Sequence, residues 1–142
     1  MNKFKFNIDT YGPGIWYMIH LEAINATNDQ LKTHFIKNIN HLCLHFPCEK
    51  CKLSFKQFIN DHSLIKYWDI KHNVYGDIGF FAWSWELHNM VNKKLNKPYL
   101  TFDDALAIYK NYICTDCNDT LKPNPFLLPH TIDKPSLILK PR

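Results

Sequence analysis

Phe46-Pro47-Cys48-Glu49-Lys50-Cys51 separates two segments of helical period and sets a Cys-x-x-Cys at the start of the second. Upstream, Leu31, Phe35, Ile36, Ile39, Leu42, Cys43 and Phe46 form a broad apolar stripe on a helix that Asn28 or Asp29 can cap. Downstream, Cys48, Cys51, Phe55, Phe58 and Ile59 share a second helix, which Asn60-Asp61 stops. Pro47 cannot continue the first helix but is well suited to open the next, which places Cys48 in its first turn. There, unpaired backbone N–H groups and the positive end of the helix dipole stabilise a thiolate. Cys51 lies on the same face and can close a disulfide with Cys48 or pass electrons elsewhere. The same pair also fits a structural zinc half-site or two buried thiols, and this stretch alone does not choose.

Outward from that point the chain reads as helix after helix. Before it, Tyr11-Gly12-Pro13-Gly14 reads as a turn, followed by a helix from about Gly14 to Ala26 that carries Trp16, Ile19, His20, Ala23 and Ile24. Trp16 and His20 stand one turn apart on one face. After it, His62 to Gly76 is a connecting segment in which Tyr67-Trp68 and Val74-Tyr75 are the candidates for short strands. A fourth helix is expected from near Asp77 to about Leu95. Ile78, Phe81, Trp85, His88 and Asn92 share one face of it, so an apolar stripe turns polar toward its C-terminal end. Polar groups on such a stripe need partners, within the protein or in something bound there, and no obvious ones lie nearby in sequence. Thr101 with Asp104 resembles a capping box for a fifth helix, whose buried face is Ala105, Leu106, Tyr109, Tyr112 and Ile113. From Asn118 onward, Pro123, Pro125, Pro129, Pro135 and Pro141 forbid a long helix, and the tail is expected to be extended or disordered.

Composition narrows the class. A chain of 142 residues suits one domain with a core of its own. Ten Phe, seven Tyr and four Trp either fill that core or pack against a flat cofactor. The net charge of +4 is mild and no basic run reads as a nucleic-acid arm, so an anionic ligand is as far as charge points. No apolar run has the length of a signal peptide or a membrane span, and a soluble protein is expected. Five cysteines are few for a disulfide scaffold. Four form two Cys-x-x-Cys pairs, Cys48 with Cys51 and Cys114 with Cys117, while Cys43 reads as a buried structural thiol.

Three landmarks together resemble the FAD-linked sulfhydryl oxidases of the Erv/ALR type. They are Gly12-x-x-x-Trp16-x-x-x-His20, then Phe46-Pro47-Cys48-x-x-Cys51, then Trp83-x-x-x-x-His88-Asn89-x-Val91-Asn92-x-x-Leu95-x-Lys97-Pro98. The resemblance runs from about Tyr11 to Tyr112. It implies an all-α fold, a four-helix bundle around FAD with a fifth short helix packed across it, in a domain that commonly forms a homodimer. Residues 1–113 would be that domain, and residues 114–142 a proline-rich tail. Carried over by position, the resemblance places Gly12, Trp16 and His20 at the cofactor, with His88, Asn89, Val91, Asn92, Lys94 and Lys97 from the fourth helix and its end. Phe55 and Tyr109 hold positions that face the cofactor in relatives. Two departures stand out. Pro13 occupies a position where the family often has an Arg, and Trp85 and Phe102 stand where many relatives have a stapling disulfide; both cysteines are absent here together, and smaller viral relatives are similarly reduced.

The activity so implied is that of a thiol oxidase that makes disulfides in a dithiol protein or thioredoxin-like relay and returns the electrons to oxygen as hydrogen peroxide. Cys51 would be the flavin-proximal thiol and Cys48 the interchange thiol, with Cys114 and Cys117 a shuttle dithiol or, alternatively, a static disulfide. A zinc-binding adaptor built on both Cys-x-x-Cys pairs is the competing reading, although their separation far exceeds zinc-ribbon spacing and leaves the His88 to Lys97 cluster without a role. The lack of a targeting segment favours a viral protein in the host-cell cytoplasm or virion, with the mitochondrial intermembrane space as the alternative. Neither a nucleic acid nor a membrane is an expected partner.

Overall fold

The computed structural model describes residues 8–110, with side chains from residue 12 onward. Five α-helices occur among the described residues: α1 (Ile8–Asn25), α2 (Asp29–His45), α3 (Glu49–Asp61), α4 (Gly79–Lys94) and α5 (Phe102–Lys110). Helix α1 packs against α2, α4 and α5, and α3 packs beside α2. The expected all-α bundle is therefore present, with α5 lying against α1 and α4. The Cys114–Cys117 pair, Tyr112, Ile113 and the proline-rich tail lie outside the described residues.

Several boundaries differ from the sequence reading. Helix α1 begins at Ile8 and passes through Gly12-Pro13-Gly14, which is not a turn. Proline already has a helical φ, and what Pro13 removes is one hydrogen bond close to the helix start, a loss that packing of the following turns outweighs. Helix α3 begins at Glu49, so Cys48 is its N-cap and not a residue of its first turn. The connecting segment forms a short 3₁₀ helix (Leu64–Tyr67) and a two-residue hairpin, β1 (Lys71–His72) with β2 (Gly76–Asp77). Tyr67-Trp68 therefore ends the 3₁₀ turn, and Val74-Tyr75 forms the hairpin's tip between the strands. The tip is closed by His72, whose Nδ1 accepts the backbone N–H groups of Val74 and Tyr75 at 3.1 and 3.4 Å; Gly76 supplies the positive φ of 68° that the return needs.

The caps follow their chemistry. Asn28 Oδ1 accepts the N–H of Leu31 at 2.9 Å, and Thr101 Oγ1 accepts that of Asp104 at 3.1 Å. On α2, however, the inward stripe takes Lys32 and leaves out Leu31, which is 42% exposed while Lys32 is 3% exposed. Lys32 is in helical register with Phe35, Ile39 and Cys43, all buried, so its aliphatic stem follows the stripe inward.

The core sits around α4. Phe81 and Trp83 are fully buried, and Trp83 packs edge-on against Phe35 and Phe58 while its indole N–H donates to His62 O at 2.7 Å. Gly79, the first residue of α4, lies under the 3₁₀ turn: a Cβ there would run into the carbonyl oxygen of Tyr67 and stand 3.1 Å from the Ile70 Cβ. Gly79→Ala is therefore expected to destabilise the fold by about 1–3 kcal/mol, read as a lower urea midpoint at unchanged slope. An unchanged midpoint would show that the turn yields freely.

Candidate active site at the Cys48–Cys51 disulfide

Cys48 and Cys51 form a disulfide with a Cα–Cα separation of 5.1 Å. Pro47 stops α2, and the chain re-enters helix at Glu49 with Cys48 as the capping residue, whose Sγ lies 3.3 Å from the Cys51 N–H. A thiolate at Cys48 is thus met by an otherwise unpaired helix-end donor and the dipole behind it. Cys43 is free and buried, and burial pushes its thiol above the ordinary range against the opposing pull of Lys56 and Lys52. That environment makes it inert, as its place on the apolar stripe implies.

Cys51 forms part of the wall of a cleft of about 340 Å³ between α1, α3 and the C-terminal half of α4. Gly12 and Trp16 bound it on α1, Phe55 on α3, and Val91 and Lys94 on α4. Leu87 and Met90 complete an apolar interior, and the Lys50 and Lys94 side chains also line it. Lys94 is held by a 2.6 Å hydrogen bond from its ammonium to Ser54 Oγ across the α3–α4 gap. The cleft has the chemistry of a slot for a flat ring with an anionic appendage.

Six of the candidate residues, Gly12, Trp16, Cys51, Phe55, Val91 and Lys94, meet in that cleft. Asn89, Asn92 and Lys97 instead line a neighbouring, more open groove with Phe58, His62 and Tyr99, and Met90 borders both. His20, His88 and Tyr109 form a ring cluster behind Trp16. His88 stacks on Trp16 at 4.0 Å and 7°, and Tyr109 packs on His20 at 4.2 Å. Burial, reinforced by His88, holds His20 well below the ordinary histidine range, and burial pushes the Tyr109 phenol up to about 12. Both are neutral at physiological pH.

His88, at the polar end of the α4 stripe, finds a partner far along the chain, and Asn89 beside it finds one past the helix end. His20 Nε2 lies 2.8 Å from His88 Nδ1, and Asn89 clamps the Leu100 backbone, its amide donating to the carbonyl and accepting the N–H, both at 2.8 Å. Trp85 Nε1 donates to the same Leu100 carbonyl at 2.7 Å. The side chains of Trp85 and Phe102 meet edge-to-face at 5.4 Å, so a ring contact fastens α4 to α5 where the resemblance expects a disulfide in relatives. The sequence reading missed Ser54, Lys50 and Ser84. Ser84 alone carried a signal, since it stands one helical turn before His88. Among the described residues there is no group of three or more His, Cys, Asp or Glu side chains able to hold a metal, and a disulfide is not a zinc ligand. No described helix is long and apolar enough to cross a membrane.

Comparison with known proteins gives a consistent picture. Residues 13–110 match the model of the Erv1/Alr family. The FAD-linked sulfhydryl oxidase of African swine fever virus (isolate Pig/Kenya/KEN-50/1950) is 27% identical over 106 residues, covering 72% of this chain and 82% of the viral protein. Among solved structures, the FAD binding domain of Erv1 from Saccharomyces cerevisiae superposes with a TM-score of 0.62 at 25% identity, covering 75% of this chain and 96% of that one. The yeast Erv1 core does so with a TM-score of 0.62 at 23% identity, covering 79% and 91% respectively.

Proposed function

Because this chain belongs to the Erv1/Alr family, we propose that it is an FAD-linked sulfhydryl oxidase that forms disulfides in dithiol proteins and passes the electrons through FAD to oxygen. The observation that carries this reading is the place of one disulfide sulfur: Cys51 stands on the wall of an apolar cleft with Trp16 and Phe55, and Cys48 is not part of that wall. The residues present fit a flavin, with aromatic and aliphatic walls for its ring and lysines for its phosphates. The cofactor, when bound, takes up two electrons and hands them to oxygen, yielding hydrogen peroxide.

The chain's own residues do the thiol chemistry. A substrate thiolate attacks Cys48 Sγ, the Cys48–Cys51 bond breaks, and Cys51 leaves as a thiolate into the cleft wall. The second substrate thiol attacks the mixed disulfide and expels Cys48, whose thiolate is received by the Cys51 N–H at the helix cap. The substrate has then been oxidised to a disulfide and the Cys48–Cys51 pair reduced to a dithiol, with Cys51 placed for electron delivery. Cys114 and Cys117 would serve as a shuttle that collects electrons from protein substrates, because a Cys-x-x-Cys disulfide closes too small a loop to stabilise much. A homodimer is the assembly we favour; the apolar groove between α1 and α2, lined by Ile15, Met18, Ile39 and Leu42, supports a second copy there. Likeness to a viral oxidase supports a viral protein working in the host-cell cytoplasm, against the mitochondrial intermembrane space.

The purified protein is expected to be yellow, absorbing near ~450 nm as a bound flavin does, and to consume oxygen when given a dithiol. A colourless protein carrying stoichiometric zinc would overturn the reading in favour of the adaptor.

A further inference from the structure

The outer face of α2 carries two histidines that the thiol chemistry does not use. His41 and His45 are both exposed, with ring centroids 4.4 Å apart and planes inclined at 50°. Their spacing of four residues sets one ring above the other on a single helix face. Neither side chain makes a hydrogen bond or an ion pair among the described residues, so the fold does not claim their ring nitrogens. Each neutral imidazole then has one nitrogen lone pair to give. Two imidazoles that share one metal ion at nitrogen–metal distances of about 2.0–2.1 Å have ring centroids roughly 4.5 Å apart when the bonds stand at right angles. The observed 4.4 Å matches that spacing, and exposed rings can turn to aim their lone pairs at one point. The position on the helix also suits a cation. His45 lies in the last turn of α2, where unpaired carbonyls and the negative end of the dipole gather. Lys37, one turn before His41, is exposed, so its ammonium can extend away into water.

We propose that His41 and His45 form a two-histidine chelate for a divalent late first-row transition-metal ion, binding Cu²⁺ most tightly and Ni²⁺ and Zn²⁺ more weakly. Imidazole favours these ions, and the order among them follows their intrinsic affinities, whereas Mg²⁺ and Ca²⁺ take oxygen ligands. Water completes the coordination, because among the described residues no third His, Cys, Asp or Glu side chain joins the pair. The site is therefore open and exchangeable, unlike a closed structural centre. It stands on α2 alone and does not depend on the oxidase reading.

The test is a Cu²⁺ titration of the oxidised full chain near pH 8, with Cys114 and Cys117 both changed to serine so that no thiol of that pair competes. One Cu²⁺ per chain is expected. His41→Ala and His45→Ala should each weaken binding at least about tenfold, since loss of either arm turns a chelate into a single ligand. Both positions are exposed on a helix and alanine is a strong helix former, so an unchanged melting temperature is expected of both variants. His34→Ala, which removes an exposed histidine two turns before His41, should leave the affinity as it was. Excess Mg²⁺ should not displace the ion. Paramagnetic Cu²⁺ should broaden the amide signals of the last turns of α2 and of Cys48, whose Cα the chain keeps within about 11 Å of that of His45. Equal Cu²⁺ affinity in the parent and both alanine variants, an equal loss in His34→Ala, or broadening centred elsewhere would each make the ion adventitious only and overturn the proposal.

Discussion

Replacing Cys51 with serine is expected to lower oxygen consumption with a dithiol substrate by at least about a thousandfold while leaving the protein yellow. A serine oxygen neither closes the disulfide nor carries the electron pair out of it, and its volume is close enough to keep the cleft wall in place. Cys48→Ser should lose comparable activity by a different route. In the proposed mechanism it removes the sulfur that substrate attacks, yet leaves a Cys51 thiol on the wall of the cleft lined by Trp16, Phe55 and Val91. The two variants should therefore be separable by spectrum: if Cys51 is the cofactor-side sulfur, its thiolate is expected to perturb the visible band of bound flavin in Cys48→Ser, and no such change is expected in Cys51→Ser. Indistinguishable spectra would refute the assignment of Cys51 as the cofactor-side sulfur. Changing Cys114 and Cys117 together should slow oxidation of a protein dithiol and spare that of a small dithiol, which reaches Cys48 unaided. Equal rates of protein oxidation would remove the shuttle.

How much of this was legible in the sequence depends on the range of the interaction concerned. Local chemistry was readable: Pro47 ending one helix, Asn28 capping another, Thr101 opening α5, and the Cys-x-x-Cys at a helix start are all set within a few residues. The apolar stripes of α2 and α4 gave the bundle, because helical period fixes which residues face inward. Periodicity could not say that Lys32 rather than Leu31 would complete the α2 stripe, since the partner that makes burial tolerable is Asp77, in a hairpin 45 positions away. The same limit applies to His88 and Asn89. Their partners, His20 and the Leu100 backbone, stand 68 and 11 positions away, beyond what the period of one helix can show. Resemblance brought Trp16, Cys51, Phe55, Val91 and Lys94 to one cofactor, and the cleft joins them. It brought His20 and Asn89 as well, whose observed contacts are internal.

Lys32→Ala is expected to cost about 3–5 kcal/mol, the largest single loss of stability outside the aromatic core. The Lys32 ammonium pairs with Asp77 Oδ2 and donates to the Trp68 carbonyl at 2.6 Å, and it lies 5.3 Å from the Trp68 ring centroid and 5.9 Å from that of Phe80. Both side chains are withdrawn from solvent, at 4% and 15% exposure, so truncating the lysine leaves the Asp77 carboxylate without its counter-charge and the Trp68 carbonyl without its donor. Lys32→Met separates charge from packing: it keeps an unbranched stem against Trp68 and Phe80, and should lose most of the same stability if the pair matters more than the contact area. Pairing Lys32→Met with Asp77→Leu removes both charges and should recover stability to within about 1 kcal/mol of the parent, as replacing a buried pair by apolar groups commonly does. Urea denaturation of the parent, both single variants at these positions and the double variant closes the cycle. A cost below about 1 kcal/mol for Lys32→Ala would mean that water reaches Asp77 and the pair is superficial. The consequence extends to the active site. Asp77 lies in β2, immediately ahead of the turn into α4, and α4 carries Ser84, His88 and Val91. Loosening the latch should therefore lower the temperature at which the flavin is released in step with the melting temperature, whereas the Cys48 and Cys51 variants should leave both in place.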